Sequence, residues 1–176
     1  MNAHVKSFDD VSVMVLAPVA RFNLRIAPAD LDAASTAFGI MLPGKVGQGA
    51  AKGERAAYCL GPDEWLLHAP ESEQADIVAA FGLVRATSPH SLTVLSDREF
   101  SIAVTGPRAR EVLSVGCPLD LSRMAPGTAK RTVFDSAQVV LIRDAQDAFR
   151  IEVWRSFFPH VRELLDIATR EFASGL

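Results

Sequence analysis

An internal repeat constrains this chain more than any other feature. The order strand, helix, hairpin, helix occurs twice, at a spacing of about 80 residues, too long for a solenoid unit. In the first half, Arg21–Ile26 alternates apolar Phe22, Leu24 and Ile26 with polar Arg21, Asn23 and Arg25, the period of a strand with one buried face. Asp30–Phe38 reads as a short helix, capped by Asp30 and closed by Gly39. Ala56–His68 is apolar but broken by Gly61-Pro62-Asp63-Glu64, the turn chemistry of a hairpin. Glu71–Phe81 follows as a helix with Ile77, Val78 and Phe81 as its apolar stripe and Gly82 as its stop.

The second half repeats this order. Phe100–Val104 alternates as a strand. Gly106-Pro107 opens a helix, with Pro107 at its first position, apolar Ala109, Val112 and Leu113 on one face, and Gly116 at its end. Cys117–Leu121 is an irregular link. Thr132–Arg143 and Phe149–Trp154 form the second hairpin, turning through Asp144–Asp147. Pro159–Phe172 carries Val161, Leu164, Leu165, Ala168 and Phe172 on one stripe, the signature of a helix with a core-facing side. Each half places a tryptophan, Trp65 or Trp154, in its last strand. The expected fold class is α+β, built from duplicated βαββα (ferredoxin-like) halves at about residues 20–88 and 92–173, packed as one domain over 1–176. A chain of 176 residues buries enough surface to need neither disulfide nor metal to fold.

Charge and targeting signals narrow the function by exclusion. The net charge is −3, and acids and bases are mixed through both halves, so nothing marks a nucleic-acid or anionic-membrane partner. The first ten residues carry acids where a signal peptide needs a basic start and an apolar core. Val11–Ala20 is about half as long as a membrane span and is interrupted by Pro18. The expected location is the cytoplasm. In that reducing setting, Cys59 and Cys117, far apart and among apolar neighbours, read as small buried thiols.

Tests for chemistry of its own fail. Gly47-Gln-Gly-Ala-Ala-Lys-Gly53 departs from a dinucleotide fingerprint, because its third glycine falls one place late and a strand follows. It reads instead as a mobile glycine-rich loop that orders against a partner. His4, His68, His90 and His160 lack metal-ligand spacing. His90 and Ser91, adjacent on an extended segment, point to opposite faces and form no nucleophile–base pair. A pteridine site needs a carboxylate and stacking aromatics. The acid–tryptophan neighbours are Glu64-Trp65, on opposite strand faces, and Glu152 with Trp154, on one face. No catalytic, cofactor or metal residue is assigned.

One ordered series of motifs is more telling than any single element. It runs Leu95-Ser-Asp-Arg98, Phe100-Ser-Ile-Ala-Val-Thr-Gly-Pro-Arg-Ala-Arg110, Gly116-Cys-Pro-Leu-Asp-Leu121, Gly127, Arg131-Thr132 and Glu152-Val-Trp-Arg-Ser-Phe157. With the hairpin Leu60-Gly-Pro-Asp-Glu-Trp-Leu67, it resembles the gamma subunits of heterotetrameric sarcosine oxidases over about residues 20–172, most closely from Leu95 onward. The resemblance implies a fold like the tetrahydrofolate-binding domain of the glycine-cleavage aminomethyltransferases. It also implies an accessory, non-catalytic place in a complex whose cofactors lie on other subunits. In that complex the alpha subunit holds NAD and tetrahydrofolate, the beta subunit FAD and FMN, and the delta subunit zinc. The assembly takes sarcosine to glycine, the methyl carbon to tetrahydrofolate and electrons to oxygen. The alternatives are a free-standing folate-binding aminomethyltransferase-like protein and a subunit of a related N-methyl amine dehydrogenase.

The candidate partner interface follows from side-chain type. Arginine outnumbers lysine 14 to 4, and its planar fork suits carboxylate and aromatic partners. Arg108, Arg110, Arg131 and Arg155 lie in the matching segments, as does Arg123. Phe157 and Phe158, paired at a strand-to-helix junction, crowd one small core, so one of them is a candidate to face a partner. Val13–Pro18 is an apolar leading segment, also a candidate to dock on a neighbour.

Overall fold

The computed structural model describes residues 6–8 and 10–174, residues 6–8 by their backbone. His4, considered above as a ligand, and the other leading residues lie outside them. The chain divides into two compact units, residues 18–96 and residues 1–17 with 97–176.

The chain opens with β1 (Lys6–Phe8) and β2 (Val11–Val15), which belong to the second of these units. The 18–96 unit then runs β3 (Ala20–Ile26), α1 (Leu31–Phe38), β4 (Gly49–Lys52), β5 (Arg55–Gly61), β6 (Glu64–Ala69), α2 (Gln74–Val84) and β7 (His90–Val94). Its sheet order is β4-β5-β6-β3-β7, antiparallel throughout. Phe22, Leu24 and Ile26 of β3 and Trp65 and Leu67 of β6 form its core with Ala34 and Phe38 of α1 and Ile77 and Phe81 of α2.

The rest of the second unit runs β8 (Glu99–Thr105), α3 (Ala109–Ser114), β9 (Thr128–Phe134), β10 (Ala137–Ala145), β11 (Ala148–Trp154) and α4 (Phe158–Ala173). Its sheet order is β1-β2-β8-β11-β10-β9, again antiparallel. Ile102, Val104, Phe149, Ile151 and Val153 form its core with Val112 and Leu113 of α3 and Val161, Leu165 and Ala168 of α4.

The duplicated α+β pattern is present, with more strands per half than the sequence pattern announces. Each expected hairpin is the last two strands of a three-stranded meander. Thr132–Arg143 is not one strand, because it contains the turn at Asp135-Ser136 between β9 and β10. Asp135 makes that turn with φ +52°, a left-handed conformation that aspartate tolerates better than most residues. The glycine-rich segment is likewise tied to this chain's own β5. Gly47 N–H donates to Cys59 O at 2.8 Å, Cys59 N–H to Gln48 O at 3.0 Å, and β4 continues the ladder.

Each half also gains a strand beside its first one. β7, which precedes β8 in the chain, pairs with β3. β2, which precedes β3, pairs with β8. The leading strand of each repeat is thus donated to the sheet of the other. Val13–Pro18 is therefore no free docking segment: its first three residues belong to β2, and Val13 is fully buried.

Several local expectations shift by a few residues. Asp30 makes no side-chain cap; it ends a short 3-10 turn, and Gly39 closes α1 at φ +81°. A Cβ on Gly39 would lie 2.5 Å from an Arg55 guanidinium nitrogen. That guanidinium also pairs with Glu73 at 2.6 Å and donates to Phe38 O. α2 starts three residues later than expected and runs through Gly82, since the residues around it keep their helical hydrogen bonds; Val78 faces outward. α3 starts at Ala109, two residues after Pro107. The irregular link after α3 is held by Arg143, which is buried and donates to the carbonyls of Met124, Ala145 and Gln146. These acceptors replace the solvation a buried guanidinium loses.

Candidate partner interface

The six candidate interface residues separate into distinct roles. Arg108 is turned inward on its own unit. Its Nε donates to Glu111 at 3.0 Å, its Nη1 to Phe172 O at 2.9 Å, and its guanidinium lies 4.5 Å from the Phe172 ring. It ties the start of α3 to the end of α4. Arg110 lines a groove of about 520 Å³ with Glu111, Leu119, Asp120 and Phe172. The Asp120 carboxyl in that groove is held below the usual carboxylate range, chiefly by the Ser122 hydroxyl that donates to it at 2.6 Å. Arg131 is exposed on β9, at a sheet edge distant in register from the others.

Arg155, Phe157 and Phe158 do lie together, where β11 passes into α4. Phe158 turns inward, its ring 4.7 Å from that of Phe100 and packed on the core. Phe157 is 39% exposed. The crowding of two adjacent aromatics is resolved by sending one to each side. The Arg155 guanidinium lies 5.2 Å from the Phe100 ring.

Two further residues complete this cluster, Arg98 and Trp154. Glu99 of β8 is the register partner of Trp154, and Arg155 N–H donates to Arg98 O at 2.7 Å. This bond carries the ladder one step past the strand ends and sets Arg98 beside Trp154. The Arg98 guanidinium stacks 3.8 Å from the Trp154 ring centroid, a cation–π geometry. Trp154 is 38% exposed. Asp97, Arg98, Trp154, Arg155 and Ser156 line a recess of about 380 Å³. A tryptophan on the last residue of a strand, followed by Arg-Ser-Phe, was the available signal. Strand alternation alone makes it one more core tryptophan, because the pattern does not say where the sheet ends.

The carboxylates of the acid–tryptophan neighbours are engaged within the sheets. Both Glu152 oxygens accept from the Ser101 hydroxyl, at 2.7 and 2.8 Å, and Glu152 is buried. Glu64 accepts from Asn23 at 2.7 Å and pairs with Arg25 at 3.2 Å. Trp65 is buried and donates its indole N–H to Pro43 O at 2.8 Å. Both carboxylates are thus held by side chains of the adjoining strands, Glu152 by β8 and Glu64 by β3. Among the described residues no three His, Cys, Asp or Glu side chains gather as a metal site. No helix of the described chain is long and apolar enough to cross a membrane. His160 reaches Asp135 at 2.8 Å and holds that carboxyl below its ordinary range. Both cysteines are buried free thiols, and burial pushes the Cys59 thiol up.

This architecture belongs to a known class. Aminomethyltransferase T of the glycine cleavage system from Bartonella henselae superposes with a TM-score of 0.70 at 16% identity, over 89% of this chain and 45% of that one. The likeness is one of fold. A heterotetrameric sarcosine oxidase from Corynebacterium sp. U-96, in complex with pyrrole 2-carboxylate, contains a chain that superposes with a TM-score of 0.84 at 30% identity, over 96% of this chain and 88% of that one. The sarcosine oxidase subunit gamma of Corynebacterium sp. (strain P-1) is 33% identical over 171 residues, 93% of this chain and 82% of the relative. Residues 25–171 match the sarcosine oxidase, gamma subunit family, and the chain belongs to that family.

Proposed function

We propose that this chain is an accessory, non-catalytic subunit of a heterotetrameric sarcosine oxidase in the cytoplasm, assembled with alpha, beta and delta subunits. The complex oxidises sarcosine to glycine, passing the methyl carbon to tetrahydrofolate and electrons to oxygen. FAD, FMN, NAD, tetrahydrofolate and zinc are held by the other subunits. The observation that carries this reading is the superposition on a chain of a heterotetrameric sarcosine oxidase over nearly the whole length. The chain's own role is to scaffold the assembly through heterologous contacts.

The test is co-expression of the other subunits with and without this chain. Without it, the expected result is loss of the assembled complex or of its sarcosine turnover. Normal assembly and turnover in its absence would overturn the scaffold role. A second measurement addresses the folate-related fold. Calorimetry of the isolated chain with tetrahydrofolate is expected to give no binding heat, because Glu152 and Glu64 are engaged by Ser101, Asn23 and Arg25. Saturable binding would favour a folate-binding aminomethyltransferase-like protein instead.

A further inference from the structure

We infer that the surface formed by Arg98, Trp154, Arg155 and Phe157 is a docking plate for an acidic segment of another subunit. The inference rests on the subunit reading above and names the part of the chain that makes the contact. Three observations support it.

The first is an uncompensated pair of positive charges. Arg98 and Arg155 are both exposed and lie on adjacent backbone positions across the strand ends. Among the described residues neither guanidinium has a carboxylate partner; each is held only over an aromatic ring. Asp97, on the wall of the same recess, pairs with neither. Three other guanidinium groups of this unit are spent internally: Arg108 on Glu111, Arg150 on Asp144, Arg143 on backbone carbonyls.

The second is pre-organisation. A guanidinium held over a ring, as that of Arg98 is at 3.8 Å from the Trp154 centroid, still has its planar fork of N–H donors to offer a carboxylate. The ring contact restrains the side chain before a partner arrives, so less side-chain entropy is lost on association.

The third is composition. Tryptophan and arginine are the residues that most often dominate binding energy, when ringed by contacts that exclude water. Here Trp154, on the wall of the recess, and Phe157, three residues on, both stay exposed. The recess of about 380 Å³ takes a side chain. Charge selects which one: an Asp or Glu, or a chain-terminal carboxylate, flanked by apolar residues that cover the indole.

The experiment uses the whole complex. Tagged wild type and variants are co-expressed with the other subunits, and partner recovery is measured at fixed ionic strength. Wild type is expected to retain the partners, and Arg98→Glu with Arg155→Glu to lower recovery about tenfold or more. Trp154→Ala, which leaves the charge unchanged, is expected to weaken it to a similar degree. Because these side chains are exposed, each variant should keep the wild-type far-ultraviolet circular dichroism and unfolding midpoint. Arg155→Lys keeps the charge and adds an amine. Carbodiimide treatment of that complex should join Lys at position 155 to an Asp, a Glu or the terminal carboxylate of another subunit. Recovery of the double-Glu variant within about twofold of wild type, or a crosslink joining two copies of this chain, would overturn the inference while leaving the subunit reading intact. Failure of wild type itself to recover any subunit would overturn the subunit reading.

Discussion

Trp65→Ala is expected to destabilise the 18–96 unit by about 3–5 kcal/mol, the cost of removing a buried aromatic side chain and leaving its space unfilled. Trp65 is 1% exposed and sits in the sheet-facing core with Phe22, Leu24, Phe38 and Phe81. Its indole N–H donates to Pro43 O, so truncation also strands a carbonyl in the segment that connects α1 to β4. At about 2–4 °C per kcal/mol for a chain of this size, the unfolding midpoint should fall by roughly 6–20 °C. Calorimetry reads the shift directly. A midpoint within about 2 °C of wild type would show that Trp65 is not the centre of this core. Fluorescence adds a second readout, because the chain has two tryptophans. The variant leaves Trp154 alone as reporter of the other unit, so its emission reads whether that unit melts with the 18–96 unit or apart from it.

Gly106→Ala is expected to disrupt the second unit at one place, the junction of β2 and β8. Gly106 has φ +119°, and a Cβ there would lie 2.4 Å from the backbone oxygen of Asp10 and 3.0 Å from Val11 Cα. A backbone conformation that glycine alone adopts readily costs alanine about 1–3 kcal/mol, before the overlap is relieved. Relief cannot come from a flexible side chain, because both obstacles are backbone. The N-terminal strand must move, and with it the bonds from Arg108 N–H to Asp10 O and from Leu16 N–H to Ser101 O. Hydrogen exchange read by mass spectrometry should show faster exchange across Val11–Leu16 while α4 stays protected. Gly44→Ala is the matched control. A Cβ at Gly44 meets nothing within 4 Å, and this variant should exchange like wild type. Equal exchange in the Gly106 and Gly44 variants would show that the chain relaxes around Asp10 without losing the strand.

Both predictions bear on how much of this protein is legible in its residues. The core stripes were, because burial imposes a period. Phe22, Leu24 and Ile26 on β3, and Val161, Leu165 and Ala168 on α4, are buried as their spacing requires. β7 and β9 were not. Both are sheet-edge strands; β7 has no fully buried side chain and β9 buries only Ala129 and Phe134, so neither shows a full alternating stripe. The proposed partner surface was half legible. Arg155 and Phe157 stood out by type and position. Arg108 carries the same signal but is consumed by Glu111 and the Phe172 carbonyl. Arg98 gains its meaning only from the Trp154 ring beneath it.

By itself the sequence determined the duplicated α+β order, the turn and helix-end positions set by Gly61-Pro62 and Gly39, and the ordered motifs that mark the family. These depend on period and on local backbone preference, which each residue carries with it. The tertiary structure alone decided that each repeat gives its leading strand to the other's sheet, and that β11 ends where Trp154 and Arg98 meet. Alternation tells a strand which face to bury; it does not tell it which strand to pair with. That choice is made by hydrogen bonds between backbones far apart in sequence, which every residue offers almost equally.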